Sequence, residues 1–160
     1  MVNHAWSVAA TVADPEVPVL TIEDLGVLRD VTIDDLGRVD VAITPTYSGC
    51  PAMDTIRRDV ETSLRGAGYS EVAVRVVLSP AWTTDWMTDE GRRKLHEYEI
   101  APPQPSAASV SGPVLVRLSI RCPQCGSALT HALSRFGSTA CKSLWACDDC
   151  LEPFDHFKAH

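Results

Sequence analysis

Apolar residues recur at helical spacing in one clear stretch of the chain and cluster at strand length in several others. Met53, Ile56, Val60 and Leu64 fall three and four apart, which sets them on one face of a helix, and Gly66 and Gly68 stop it. Residues 4–13 are rich in alanine and predict an earlier helix, ended by Asp14-Pro15. Residues 27–34 and 38–44 are apolar runs flanking Asp34-Asp35-Leu36-Gly37, the pattern of a β-hairpin with a glycine in its turn. A valine-rich strand is expected over Glu71–Leu78, then a polar-aromatic loop, Pro80-Ala-Trp-Thr-Thr-Asp-Trp86, and a short helix from Asp89 to Glu97.

The pattern then changes. Residues 101–113 carry no charge and are dominated by Pro, Ser, Ala and Gly, which marks a linker. It separates an N-terminal domain, residues 1–100, from a module over residues 114–160. The module is expected to open with an apolar strand, Val114–Ile120, and to carry a hairpin from Ser127–Arg135 and Ser143–Ala146. The loop Phe136-Gly-Ser-Thr-Ala-Cys141-Lys lies between these arms, and Trp145, Phe154 and Phe157 are there to cover a small core. A segment this short needs a staple.

The cysteines supply one. Cys122-Pro-Gln-Cys125 and Cys147-Asp-Asp-Cys150 are two C-x-x-C turns separated by residues 126–146, close to the spacing of a four-cysteine zinc ribbon. Each turn can aim two thiolates at one tetrahedral ion. A structural Zn2+ held by Cys122, Cys125, Cys147 and Cys150 is therefore expected, in a reducing, cytoplasmic setting. The first residues lack the basic stretch and apolar core of a signal peptide, and no run has the length of a membrane span.

Charge narrows the partners. Residues 1–113 hold 9 Lys and Arg against 17 Asp and Glu, a net of −8, whereas residues 114–160 hold 5 against 4, a net of +1. Neither part has the basic footprint of a nucleic-acid binder.

Two cysteines are left over. Cys50 precedes Pro51, and proline suits a first helical turn, so Cys50 is expected at the N-cap of the following helix. There the helix dipole favours a thiolate able to bind a soft metal, accept a cluster or attack an electrophile. The competing reading is a small buried residue that caps a helix. Asp14 and Glu16 could orient a metal or partner, or could only build the Asp-Pro-Glu-Val-Pro turn. The Trp82–Trp86 loop reads equally as a recognition loop or as a lid over the core. Cys141 is either a second working thiol or a packed hairpin residue. The five histidines are scattered and nothing in the sequence places one beside Cys50, which leaves a Cys–His hydrolase weakly supported.

Four ordered motifs carry a resemblance: Asp14-Pro-Glu-Val-Pro, Asp24-Leu-Gly-Val, Thr44-Pro-Thr-Tyr-Ser-Gly-Cys50-Pro and Pro80-Ala-Trp-Thr-Thr-Asp-Trp. Over residues 5–100 the chain resembles the small iron–sulfur assembly domain family that includes SufT-type proteins. With the Phe136-Gly-Ser-Thr-Ala-Cys-Lys and Glu152-Pro-Phe-Asp-His-Phe-Lys segments of the ribbon, the whole chain resembles accessory proteins of the phenylacetyl-CoA ring-epoxidising monooxygenase. The resemblance implies an α/β (α+β) fold, a two-layer assembly-type domain followed by a β-rich zinc ribbon. It places the family's cysteine on Cys50 and its acidic element on Asp14 and Glu16, as contacts for a transient iron–sulfur cluster or iron. It also implies the monooxygenase subunits as partners, a homodimer that could share the Cys50 site, and no membrane or nucleic acid. Glu-x-x-His and the nucleotide fingerprints are absent, so the chain is expected to assist an oxygenase rather than to oxygenate. A maturation factor and a stable structural or regulatory subunit both remain open.

Overall fold

A computed structural model describes residues 1–104 and 120–159 of the chain. Two compact units are present: Met1–Trp82 with Trp86–Gly91, and Thr83–Asp85 with Arg92–His160. The Pro-rich linker lies largely outside the described residues, as does most of the apolar run expected as a strand over 114–120.

The first unit is built on a three-stranded sheet of order β1-β2-β3, with β1 at Leu28–Ile33, β2 at Val39–Ile43 and β3 at Val72–Val76. β1 and β2 form the expected antiparallel hairpin. Its turn is held by Asp34, whose Oδ1 accepts the N–H groups of Leu36 and Arg38 at 2.9 Å each. The Arg38 N–H bond, the Arg38 side chain and the Leu36 N–H together hold the Asp34 carboxyl below the usual carboxylate range, despite some desolvation. Gly37 supplies the left-handed residue of the turn, at φ +80°.

β3 returns parallel to β2, which requires a crossover. Helix α2, Met53–Gly66, provides it. Its Ile56, Val60 and Leu64 are fully buried, while Arg57–Asp54 and Arg65–Glu61 pairs decorate the outer face. Burying those three side chains contributes roughly 1.5–3 kcal/mol each. β2, central in the sheet, is buried at four of its five positions, as a strand covered on both faces must be. Helix α1 occupies Val2–Ala10, starting and ending earlier than the alanine run suggests. Ala5, Ala9 and Ala10 are its buried residues, and their small side chains let it sit close against β1 and α2.

The loop over residues 80–86 is structural where it meets the first unit. Trp82 is buried and donates its indole N–H to the Leu25 carbonyl at 2.8 Å. The Arg29 guanidinium lies 3.5 Å from the centre of the Trp86 ring. Gly26, at φ +70°, approaches so closely that a Cβ there would stand 2.4 Å from the Trp86 carbonyl oxygen. Asp24 and Thr21 exchange side-chain bonds to each other's backbone N–H, at 3.0 and 3.1 Å. The Asp-Leu-Gly motif and the two tryptophans of the Trp-Thr-Thr-Asp-Trp motif thus belong to one packed feature, which favours the lid reading over the recognition one.

The second unit holds a four-stranded sheet of order β4-β7-β6-β5: β4 at Ile100–Ala101, β5 at Thr130–Ser134, β6 at Lys142–Cys147 and β7 at Pro153–Phe157. β5–β6 is the expected hairpin, shorter on its first arm. β7 and β4 are additions that the sequence pattern does not announce. β4 is only two residues long, and it pairs parallel to β7 through Ile100↔Asp155 and Ala101↔His156. Arg92, from helix α3 at Asp89–Glu97, fastens that segment by donating to the carbonyls of Thr84 at 2.6 Å and Pro103 at 3.1 Å. Ala101, Ile120, Cys122, Cys147 and Phe154 form the core here, with Trp145 and Cys150 packed against it. Phe157 is also buried.

Candidate functional site

The four paired cysteines converge. Cys122 and Cys150 sulfurs are 3.7 Å apart, Cys125 and Cys147 sulfurs 3.5 Å, and all four lie within 4.8 Å of one another. Four sulfurs at about 2.3 Å from a central zinc stand about 3.8 Å apart, so the side chains fit a tetrahedral Zn2+ as they stand. Bound there, zinc supplies a crosslink between two turns and no open coordination position.

The two turns are built alike. Cys122 O accepts the Gly126 N–H at 2.9 Å, and Cys147 O accepts the Leu151 N–H at 3.1 Å. Cys122 N–H and Cys147 N–H reach the carbonyls of Ser127 and Glu152 at 2.9 and 3.0 Å. Both turns need a left-handed residue after the second cysteine: Gly126 at φ +76° in one, Leu151 at φ +64° in the other. N–H groups of Cys150 and, more weakly, Asp149 face the Cys147 sulfur and outweigh its desolvation, bringing that thiol down to about 7. The two acids between Cys147 and Cys150 are used locally. Asp148 bonds His131 Nδ1 at 2.8 Å, and Asp149 accepts from the Ser127 hydroxyl.

Cys141 is not part of the cluster. It is buried, its sulfur 3.0 Å from Thr139 Oγ1, inside the Phe136–Lys142 loop. Gly137 explains the loop's sequence: its N–H bonds Lys142 O at 2.8 Å, and a Cβ there would stand 2.6 Å from an Asp155 carboxylate oxygen.

The left-over thiol of the first unit sits differently from expectation. The N-cap of α2 is Ala52, so Cys50 lies two residues before the helix cap rather than capping it. A turn at Tyr47–Cys50, with Gly49 at φ +81°, delivers it there. Cys50 is half-buried, and its thiol is pushed up rather than down. Burial is the main cause, and the negative charges of Glu16 and Asp14 add to it, against the Ala52 N–H and the Tyr47 hydroxyl, which pull the other way. A thiolate favoured by the helix dipole is therefore not what the structure holds. Acids more than thirty residues upstream, which the fold brings within electrostatic reach, work against it.

Those acids do two jobs. Asp14 Oδ1 accepts the N–H groups of Glu16 and Val17 at 2.8 Å each, the turn role expected of it. Its N–H bonds Leu20 O at 2.9 Å, and Ala13 bridges to Thr21, which pins the Asp-Pro-Glu segment. Asp14 is buried and Glu16 half-buried. His96, the histidine of residues 1–100 considered as a partner for a thiol, is exposed on α3. Among the described residues the buried histidine is His156, on β7. Among the described residues, no helix is long and apolar enough to cross a membrane.

Two family models match separate stretches of the chain. Residues 6–76 match the iron–sulfur cluster assembly protein model, and residues 107–158 match the PaaD zinc beta ribbon domain. The chain is 46% identical over 157 residues to a protein of Escherichia coli K12 that is named as a putative subunit of 1,2-phenylacetyl-CoA epoxidase, covering 98% of this chain and 92% of that one. It is 36% identical over 86 residues to an "Fe-S protein maturation auxiliary factor" of Porphyromonas gingivalis, covering 53% of this chain and 81% of the relative. A crystal structure of a domain of unknown function, DUF59, from Bacillus anthracis superposes with a TM-score of 0.55 at 30% identity, over 59% of this chain and 90% of that one.

Proposed function

From the membership of this chain in the PaaD family, shown by its near full-length match to a 1,2-phenylacetyl-CoA epoxidase subunit, we propose that it is a non-catalytic accessory factor. It helps mature the iron–sulfur or diiron centres of a phenylacetyl-CoA ring-epoxidising monooxygenase. Relatives of its first unit are named as Fe–S maturation factors, which supports that role.

One observation carries the reading: Cys50 is half-buried and faces the charges of Glu16 and Asp14. That field disfavours a bare thiolate. It favours a thiolate that arrives together with a cation, because the same carboxylates then attract rather than repel. The site is thereby suited to a transient metal cargo, with Cys50, Asp14 and Glu16 as its contacts. The Ala52 N–H and the Tyr47 hydroxyl favour the charged sulfur and would steady it when the cargo leaves. Iron or a cluster is the substrate of this step; zinc is the resident ion of the ribbon. The ribbon serves as a docking module for the monooxygenase subunits.

The test is the iron content and activity of the monooxygenase made in cells carrying Cys50→Ala. A folded variant with depleted oxygenase iron is expected. Full iron loading in that background sinks the proposal.

A second reading has its own support, since the full-length relative is named as a subunit. A stable structural subunit would co-purify with the oxygenase at fixed stoichiometry, and Cys50→Ala would leave that unchanged.

A further inference from the structure

A cavity of about 330 Å3 lies against the ribbon sheet, and Ser143, Trp145, His156, Arg135, Phe136 and Lys158 are among the residues that line it. None of the four clustered cysteines does, and Cys50 belongs to the other unit. The cavity is therefore separate from both thiol centres.

Its aromatic wall is fixed in place before anything binds. Trp145 donates its indole N–H to Ser143 Oγ at 3.0 Å, and that oxygen stands 3.3 Å from His156 Nδ1. The His156 and Trp145 rings meet edge-on, with 6.1 Å between centres and 76° between planes. Ser143 and His156 are each 8% exposed, so their part is to support the indole rather than to touch a visitor. Trp145, half-buried, is the surface that remains on offer. A side chain already held in one orientation loses little entropy on binding, which is how anchor pockets at protein interfaces work.

The rim is basic. Lys158 is tied through its backbone N–H to Cys141 O at 3.0 Å and through Nζ to the Arg135 carbonyl at 3.1 Å. Its Nζ lies 4.6 Å from the centre of the Phe136 ring. An ammonium has three N–H bonds to give and the Arg135 carbonyl takes one, so Lys158 keeps donors for an incoming acceptor. Arg135 lines the same space, and among the described lining residues there is no Asp or Glu. Phe136 is 66% exposed. An aromatic ring left in water beside cations marks an interaction surface.

Size and charge select the occupant. The volume is at the small end of the range for ligand pockets, about 300–1,000 Å3, room for one aromatic side chain. The exposed Phe136 carries the apolar surface past the cavity mouth, so a polypeptide segment running over the rim covers more of it than a free ring does. Two cations at that rim call for carboxylates on either side of the seated ring. A second copy of the chain fits less well, because each copy carries a net charge of −7 and like charge opposes self-association.

We propose that the ribbon cavity docks an acidic segment of a monooxygenase subunit, seating one aromatic side chain against Trp145 while flanking Asp or Glu carboxylates meet Lys158 and Arg135. This rests on the reading of the chain as an accessory factor of that oxygenase, and it gives the ribbon's docking role a contact surface.

The experiment titrates the full-length, zinc-loaded chain with three peptides blocked at both ends: Glu-Asp-Phe-Asp-Glu, the same with alanine in place of phenylalanine, and Lys-Lys-Phe-Lys-Lys. NMR follows the Trp145 indole resonance and intermolecular NOEs. The acidic aromatic peptide is expected to bind with Kd on the order of 1 mM, the other two about tenfold weaker, and its ring should show NOEs to Trp145. Lys158→Glu should weaken it about tenfold, and Phe136→Ala, at an exposed position, about fivefold, both with zinc retained at one per chain. Equal affinity for the acidic and basic peptides overturns the proposal, as does absence of NOEs to Trp145. So does a chain that dimerises by itself and loses the dimer in Phe136→Ala, which makes a second copy the occupant. Co-expression with the oxygenase subunits separates this surface from the role of Cys50. Lys158→Glu should no longer co-purify with them, while Cys50→Ala should. If Lys158→Glu still co-purifies where Cys50→Ala depletes oxygenase iron, the docking surface falls and the maturation role stands. If Lys158→Glu loses the subunits while oxygenase iron is full in Cys50→Ala, the surface stands and the metal-cargo role falls.

Discussion

In the ribbon, the Cys147 sulfur faces the N–H groups of Cys150 and Asp149, and its thiol is brought down to about 7. On the loop before α2, the Ala52 N–H and the Tyr47 hydroxyl also favour the Cys50 thiolate, yet burial and the charges of Glu16 and Asp14 push its thiol up. Hydrogen bonds alone therefore do not decide the state of a thiol. Desolvation and nearby carboxylates outweigh them at Cys50, whereas at Cys147 the N–H groups win; Cys150 beside it, despite the Glu152 N–H, is pushed up to about 12 by burial and the neighbouring sulfurs. The difference has a chemical consequence. The four knuckle sulfurs are gathered within 4.8 Å for permanent ligation by an ion with no open position, whereas the surroundings of Cys50 favour the neutral thiol, and its proposed contact with a cation has to displace that proton.

The largest expected effect tests the permanent side of that contrast. Removing zinc with a chelator, or replacing Cys147 with Ser, should unfold the ribbon, because zinc binding to such a site is worth on the order of 10 kcal/mol. Signals from the first unit's core should persist, and Cys50→Ala should leave zinc content at one per chain. Loss of zinc in Cys50→Ala would erase the distinction between the two kinds of thiol. Next in size, Leu64→Ala removes a fully buried side chain of α2 and should cost roughly 2–5 kcal/mol of the first unit's stability. Denaturant unfolding followed through α2 checks it, with zinc retention as the control.

A smaller effect probes the field at Cys50. Iodoacetamide should label Cys50 slowly near neutral pH, and the rate should climb only above the range where an ordinary thiol ionises. The sign follows from the raised pKa: the folded chain prefers the neutral thiol, so any stability linked to Cys50 is full at low pH and lost as pH rises through the shifted value. Glu16→Gln removes one of the two charges and should speed labelling at pH 7. An unchanged rate would leave burial as the whole cause and weaken the case for a cation site.

Much of this is legible in the chain, and what is not shares a physical reason. The α2 stripe of Ile56, Val60 and Leu64, the Asp34–Gly37 hairpin and the paired C-x-x-C turns are local patterns, and the structure has all of them. The acids beside Cys50, the two-residue β4 and the pairing of β7 depend on contacts distant in sequence. The state of Cys50 is hidden for the same reason, since a helix dipole is a local term and the Glu16 charge is not. His156 lies in the Glu152–Lys158 segment, but its burial beside Ser143 depends on the pairing of β7 with β6.

The smallest prediction compares the two knuckles with each other. They share a hydrogen-bond pattern and a left-handed residue, but one has Gly126 at φ +76° and the other Leu151 at φ +64°. A non-glycine residue in that region costs roughly 1–2 kcal/mol, while a glycine costs roughly 0.5–1 kcal/mol in chain entropy on folding. Leu151 is 80% exposed, so trimming it gives up little burial. Leu151→Gly should therefore stabilise the ribbon slightly, by about 0.5 kcal/mol on the difference of those terms. Gly126→Leu should destabilise it by a similar amount, since nothing lies within 4 Å of a Cβ there and backbone strain is the only new cost. Competition with a chelator for zinc reads both changes on one scale. A loss on Leu151→Gly would mean that the leucine makes a contact worth more than its strain, and its exposure would then mark it as part of the surface by which the ribbon docks.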